Sequence, residues 1–221
     1  MSDRKRFDRY RHIGRLYDVI SLERLVYATP RRRLLTMVGP ITGATVVDVG
    51  CGTGFNFPGL RALVGPAGRV IGIDASPSML GAAQRRIHRA GWANITTVHS
   101  DITSMLLAIE RAGVDSDDID VIIATFVIST TTDDSTFWHI IDHLSTVTPR
   151  LVAIADLGKP SSSRHLRDRV LRALAALGGN HPSSRPWIDL AQRADDARLE
   201  QLLGGHVHLA VGHCRRVPLA S

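Results

Sequence analysis

Apolar residues along this chain gather in short runs, with helix-spaced stretches between them. The runs TVVDV (45–49), RVIGI (69–73), ITTVH (95–99), IDVIIAT (119–125) and LVAIA (151–155) predict five buried strands. Apolar spacing near three to four residues predicts helices at about 55–64, 76–90, 134–144, 164–177 and 187–194. Ser76 followed by Pro77 reads as an N-cap and first helical position, and Gly178-Gly179 as the end of the fourth of these helices. Residues 1–40 also read as helical, with Leu16, Ile20, Leu25, Leu34, Leu35 and Val38 as the apolar positions and an interruption near Pro30. Near the end, runs at 198–202 and 207–211 flank Gly204-Gly205, the pattern of a hairpin. Strand and helix alternate through the middle of the chain, without repeats or low-complexity tracts. That alternation predicts one α/β domain, a mostly parallel sheet covered by helices on both faces and ending in an antiparallel hairpin.

Composition changes this picture little. The chain has 221 residues, 44% hydrophobic and 22% charged, which suits one globular domain with a sizeable core. No apolar run reaches membrane-spanning length, and the basic start has no apolar region of the secretory kind after it, so a cytoplasmic protein is expected. Cys51 and Cys214 form neither a disulfide framework nor a zinc spacing and are expected to be reduced. The formal net charge of +6 is almost wholly arginine, since Lys5 and Lys159 are the only lysines, and codon usage explains that bias as well as an anionic partner does. The basic residues crowd into the N-terminal segment, including Arg4, Lys5, Arg6, Arg31, Arg32 and Arg33. There they suit either peripheral contact with an anionic surface or a solvated helical face. Nothing in the pattern specifies an oligomeric state.

The candidate chemistry lies in Asp48-Val49-Gly50-Cys51-Gly52-Thr53-Gly54-Phe55-Asn56, which follows a strand and opens a helix. Glycines there let the backbone turn sharply and come close to a ligand. A dinucleotide fingerprint would need glycine where Phe55 stands, which opposes a nicotinamide-dependent reductase, and a phosphate loop would need a lysine that is missing.

VVDVGCGTG resembles the first motif of class I S-adenosylmethionine-dependent methyltransferases. The likeness continues downstream. Asp74 ends the second strand, 20 residues after Gly54; Asp101 follows the third strand; and IDVIIATFVIST is similar to the family's fourth-strand motif. It extends over about residues 10–215 and is strongest over 45–130, and within the family it looks closest to small-molecule enzymes acting on quinones and phospholipids. The resemblance implies a Rossmann-like, doubly wound seven-stranded sheet with an antiparallel C-terminal strand, 1–40 as a helical cap and 41–221 as the core. It further implies S-adenosyl-L-methionine as cofactor, held by Tyr17, Asp48, Gly50, Cys51, Gly52, Gly54, Asn56, Asp74, Ala75, Met79, Asp101, Ile102, Thr125 and Phe126. In that scheme Asp74 accepts the ribose hydroxyls, Asp101 the adenine amino group, and the backbone leaving the fourth strand meets the methionine part.

Each of these residues also has a plain structural reading. Asp48 also reads as fixing the loop, Asp74 and Asp101 as surface acids, Met79 as helix core, Cys51 as a small filler, and Asn56 as a helix cap. The expected acceptor is a small, apolar or lipid-like molecule methylated on O, N or C. The run after Thr125 lacks the N/D-P-P-Y/F pattern of DNA amino-methyltransferases, which sets DNA aside, and no RNA-binding motif is present. A cofactor-binding protein without transferase activity and an RNA methyltransferase are the alternatives. Tyr10, Tyr17, Phe126, Asp133, His139 and Asp156 are acceptor-side candidates, with no catalytic base assigned. His206, His208 and His213 read as solvated edge histidines rather than metal ligands, no metal is expected, and Trp187 reads as a hydrophobic plug.

Overall fold

The structure is a computed structural model that describes residues 27–131, 134–146, 148, 150–158 and 184–216. Its strands form one seven-stranded sheet in the order β3-β2-β1-β4-β5-β7-β6, mostly parallel as expected. The chain divides into two compact units, one ending at Asp120 and one beginning at Val121.

The first unit holds α1 (Ala28–Val38), β1 (Thr45–Val49), α2 (Phe57–Val64), β2 (Arg69–Asp74), α3 (Pro77–Ala90), β3 (Ile95–His99) and α4 (Met105–Arg111). β2 runs parallel to β1 on one side and to β3 on the other, with Asp48 opposite Gly72 and Asp74 opposite His99. Val46, Val47, Val70 and Ile71 are fully buried, because a parallel strand under helices on both faces has no solvated side. Pro30 lies inside the first turn of α1, where its missing N–H interrupts nothing. Leu34, Met37 and Val38 bury one stripe of that helix, and Leu35 fills the space left at Gly59 of α2. Ser76 caps α3 as expected, its hydroxyl accepting from the Met79 N–H at 3.5 Å. Gly91 closes α3 in the left-handed conformation. The pattern did not predict α4: its buried positions Met105, Ala108 and Ile109 fit one helical face but span too few residues to show a period.

The second unit holds β4 (Val121–Thr125), α5 (Ser135–Leu144), β5 (Arg150–Leu157), α6 (Pro186–Arg193), β6 (Arg198–Leu202) and β7 (Val207–Cys214). β4 is buried throughout and parallel to β5. β7 lies between β5 and β6 and runs antiparallel to both. The hairpin expected around Gly204-Gly205 forms, but its connection is a short 3-10 turn over Leu203–Gly205 followed by His206, with positive φ at Leu203, Gly204 and Gly205. Arg193 lies over the Trp138 ring at 4.6 Å and pairs with Asp142 at 3.3 Å. No described helix is long and apolar enough to cross a membrane. The helix expected at 164–177, its Gly178-Gly179 end, Tyr10, Tyr17, Asp133 and the basic residues before Tyr27 lie outside the described residues.

Candidate functional site

In the first unit the turn between β1 and α2 is built on Gly50, Gly52 and Gly54, whose φ values are 64°, 55° and 77°. A side chain in the left-handed region costs roughly 1 kcal/mol or more, so three alternate glycines make this backbone attainable. The turn is fastened beneath by Cys51 N–H donating to the Ile73 carbonyl at 3.0 Å and by Gly54 N–H donating to the Cys51 carbonyl at 2.9 Å. Phe57 is its floor: fully buried, its ring lies where a Cβ on Gly54 or Gly72 would stand, at 2.5 and 2.7 Å. Above Gly52 no atom of the described residues, its chain neighbours aside, lies within 4 Å of a Cβ built there.

Two carboxylates hold this turn. Asp74, at the end of β2, accepts from the Gly52 N–H through Oδ2 and from the Ser76 N–H through Oδ1, both at 2.8 Å. Burial pushes its carboxyl above the usual range, against the pull of those two N–H groups and of His99. Asp48 is fully buried on β1 and accepts from the Asn56 side-chain amide at 2.9 Å through Oδ1. Its Oδ2 is buried and has no hydrogen-bond partner among the described residues. Burial raises the Asp48 carboxyl to about 7, opposed by the Asn56 hydrogen bond and the Arg31 charge and helped by Asp74. Asn56 stands at the N-cap position of α2 without capping it; its amide turns to Asp48 and its Oδ1 accepts from Arg31 at 3.3 Å. Cys51 is buried, and its thiol is pushed well up, first by burial and then by Asp48 and Asp74, so it fills space and is no nucleophile. Both cysteines are free thiols.

Asp101 is exposed and caps the 3-10 turn Ile102–Ser104. Its Oδ1 takes both the Thr103 hydroxyl at 2.7 Å and the Ser104 N–H at 3.1 Å, which hold its carboxyl below the usual range. Met79 is buried on α3, while Ala75 and Ile102 are half-buried. Phe55, where a dinucleotide loop would carry glycine, lies under Arg86 at 4.6 Å.

In the second unit Thr125 is buried at the end of β4, and the next residue, Phe126, has φ 57°. A left-handed aromatic residue is a strained arrangement of about 1–3 kcal/mol that surrounding bonds must hold, here the Phe126 N–H to the Ala155 carbonyl at 2.7 Å. Asp156 is the anchor of the following turn. Fully buried, it accepts from the Ser129 N–H at 2.9 Å, the Ser129 hydroxyl and the Leu157 N–H at 2.8 Å, while burial raises its carboxyl. With its oxygens so engaged, Asp156 acts as a brace for the turn. His139 lies on the exposed side of α5.

The histidines depart from expectation. His206 is in the turn before β7 rather than on the strand, and it is fully buried. His208 stacks on Trp187, centroids 4.0 Å apart and planes 8° apart, with Nε2 3.0 Å from the Gly205 carbonyl. His213 is exposed and pairs with Asp196 at 2.7 Å. Among the described residues no group of three or more His, Cys, Asp and Glu side chains is placed to hold a metal ion. Sequence reasoning missed Arg31, Phe57 and Ser129. A polar or aromatic residue gives no periodic signal of a partner far away in the chain.

Residues 46–148 match the family described as Methyltransferase domain. The chain is similar to the protein-L-isoaspartate O-methyltransferase of Methanococcoides burtonii, 34% identical over 27% of this chain and 29% of that protein. It is also similar to the demethylmenaquinone methyltransferase of Anoxybacillus flavithermus, 31% identical over 42% of this chain and 39% of the relative. It thus spans well under half the length of these curated relatives. In fold it resembles a SAM-dependent methyltransferase from Aquifex aeolicus, with TM-score 0.57, 17% identity, and coverage of 97% of this chain and 100% of that one. The glycine turn and the strand-end acids Asp74 and Asp101 lie within the matched residues, and over that stretch the chain is similar to class I S-adenosylmethionine-dependent methyltransferases.

Proposed function

We propose that this chain transfers the methyl group of S-adenosylmethionine to a small, apolar or lipid-like acceptor, and that residues 1–221 make up one methyltransferase domain. The observation that carries this reading is the glycine turn: among the described residues nothing crowds Gly52, whose N–H is tied to Asp74, and the buried Oδ2 of Asp48 has no hydrogen-bond partner. Those features fit the cofactor. Gly52 lets backbone approach the ligand closely, and each Asp74 oxygen, engaged by one N–H, keeps a lone pair for a ribose hydroxyl. Asp48 Oδ2 is an acceptor waiting for a donor, as the ammonium end of the ligand would be. Asp101 takes the Thr103 hydroxyl and the Ser104 N–H on Oδ1, and its exposed carboxylate would accept the adenine amino group through Oδ2. Met79, Ala75 and Ile102 would flank the base. Gly50, Cys51, Gly54 and Asn56 shape the turn, and Tyr17, Thr125 and Phe126 take their places in the set from the family pattern.

When bound, the cofactor supplies a methyl group already activated by sulfonium. What remains for the protein is alignment, worth roughly 7–11 kcal/mol when reactants are well oriented. Such a displacement needs a weak base or none, the acceptor's proton passing to that base or to solvent, and neither Asp156, engaged as a brace, nor the exposed His139 is assigned the role. The acceptor class is supported by the apolar Phe126-Val127-Ile128 stretch after β4 and by similarity to a demethylmenaquinone methyltransferase.

Incubation with methyl-labelled S-adenosylmethionine and fractionated cell extract tests this reading. Label partitioning into the organic, small-molecule fraction is expected. Label found only in protein or RNA would overturn the acceptor class, and no label in any fraction would overturn the activity.

A further inference from the structure

We propose that Arg31 of α1 is a positioning residue for the buried acid of the glycine turn, acting through Asn56, so that this helix sets how tightly the cationic end of the methyl donor is held. This rests on the cofactor reading above and deepens it. A relay of two hydrogen bonds carries it: Arg31 Nη1 to Asn56 Oδ1 at 3.3 Å, then Asn56 Nδ2 to Asp48 Oδ1 at 2.9 Å. The order cannot be reversed, because a carboxylate accepts and a guanidinium only donates, so the Asn56 amide has one orientation. The helix that carries Arg31 is itself seated, through buried Leu34, Met37 and Val38 and through Leu35 in the gap at Gly59.

Among the described residues the titratable and polar groups that face Asp48 are Arg31, Asn56, Asp74 and the Cys51 thiol, which burial keeps neutral. Asn56 and Arg31 favour its ionised form, while burial and Asp74 on β2 oppose it. The balance leaves an acid that is neither firmly neutral nor firmly charged near neutral pH, with one oxygen uncommitted. A ligand ammonium at that oxygen favours the carboxylate, so binding drives the Asp48 proton out to buffer while the ammonium keeps its own. Arg31 lowers the cost of that ionisation in advance. Remove its charge and the ligand must do the work alone.

The test is calorimetric titration with S-adenosylhomocysteine, which retains the amino-acid end, between pH 6 and 8.5 in two buffers of different ionisation enthalpy. Wild type is expected to bind more tightly as pH rises and to release a fraction of a proton near neutrality. Arg31→Met should bind roughly tenfold more weakly at pH 7, the loss of one charge-assisted hydrogen bond, with its pH dependence displaced upward. Arg31→Lys, which keeps the charge, should recover most of the affinity. A merely structural arginine would lower affinity without moving the proton count or the pH dependence. Wild-type binding that is flat with pH and releases no proton overturns the relay while leaving the cofactor reading intact, as does an Arg31→Met profile matching wild type. Failure of folded wild type to bind at all removes both. The wild-type proton count decides the matter even if Arg31→Met does not fold.

Discussion

Gly72 offers the sharpest test of how the turn is supported. It lies on β2 opposite Asp48, beneath the glycine turn. A Cβ there would stand 2.7 Å from Phe57 Cζ and 2.9 Å from Cys51 Sγ, closer than real Cβ contacts allow. Phe57 cannot swing clear, since the same ring already fills the Cβ position of Gly54 at 2.5 Å and is fully buried. Gly72→Ala must therefore displace Cys51 or lift the turn. Overpacking by one methyl in such a core costs about 2 kcal/mol, which for a chain of this length lowers Tm by roughly 4–8 °C. Because Cys51 adjoins Gly52, affinity for S-adenosylhomocysteine should fall as well. The control is Phe57→Leu, which shortens the floor. Combined with Gly72→Ala it should cost less than the sum of the two, with a coupling of about 1 kcal/mol. Thermal melts of the four proteins, followed by circular dichroism, give the cycle. A Gly72→Ala protein melting within a degree of wild type, or strictly additive effects, would show that Phe57 does not seat the turn.

Asp48 links stability to pH. Its carboxyl stands at about 7 in the folded chain against an ordinary 3.8, so between those values the native state holds a proton that the unfolded state has lost. Stability therefore falls as pH rises through this window, by about 4 kcal/mol in full, and is level above it. Asp48→Asn should remove that slope, and urea melts at pH 4, 5.5 and 7.5 that run parallel for both proteins would refute the assignment. Asp156→Ala should destabilise by about 3 kcal/mol, because the Ser129 N–H and hydroxyl and the Leu157 N–H all lose this acceptor. A urea midpoint for that variant close to wild type would show that water replaces the carboxylate.

Much of this arrangement is legible in sequence, for physical reasons. Buried parallel strands write themselves as short apolar runs, and Ser76-Pro77 writes a helix start, which the structure shows. The glycine turn is legible because positive φ at alternate positions leaves residue choice little freedom. What stays hidden depends on tertiary docking. Asn56 looks like a helix cap and instead serves Asp48, because Arg31, 25 residues earlier, turns its amide. Asp156 looks like a free strand-end acid, yet Ser129 engages it across 27 residues. Phe126 carries no glycine to announce its left-handed backbone, which the Ala155 carbonyl imposes. His206 looks solvated on an alternating pattern, but the turn before β7 is longer than a two-residue hairpin and folds it inward.

The most direct measurement is a titration of S-adenosylhomocysteine into wild type and Asp74→Asn, which keeps one acceptor oxygen and loses the charge. The account predicts one site per chain in wild type and binding weaker by roughly tenfold to a hundredfold in the variant, as for loss of charge-assisted hydrogen bonds. Folded wild type that gives no binding heat, or equal affinity in the two proteins, would contradict it.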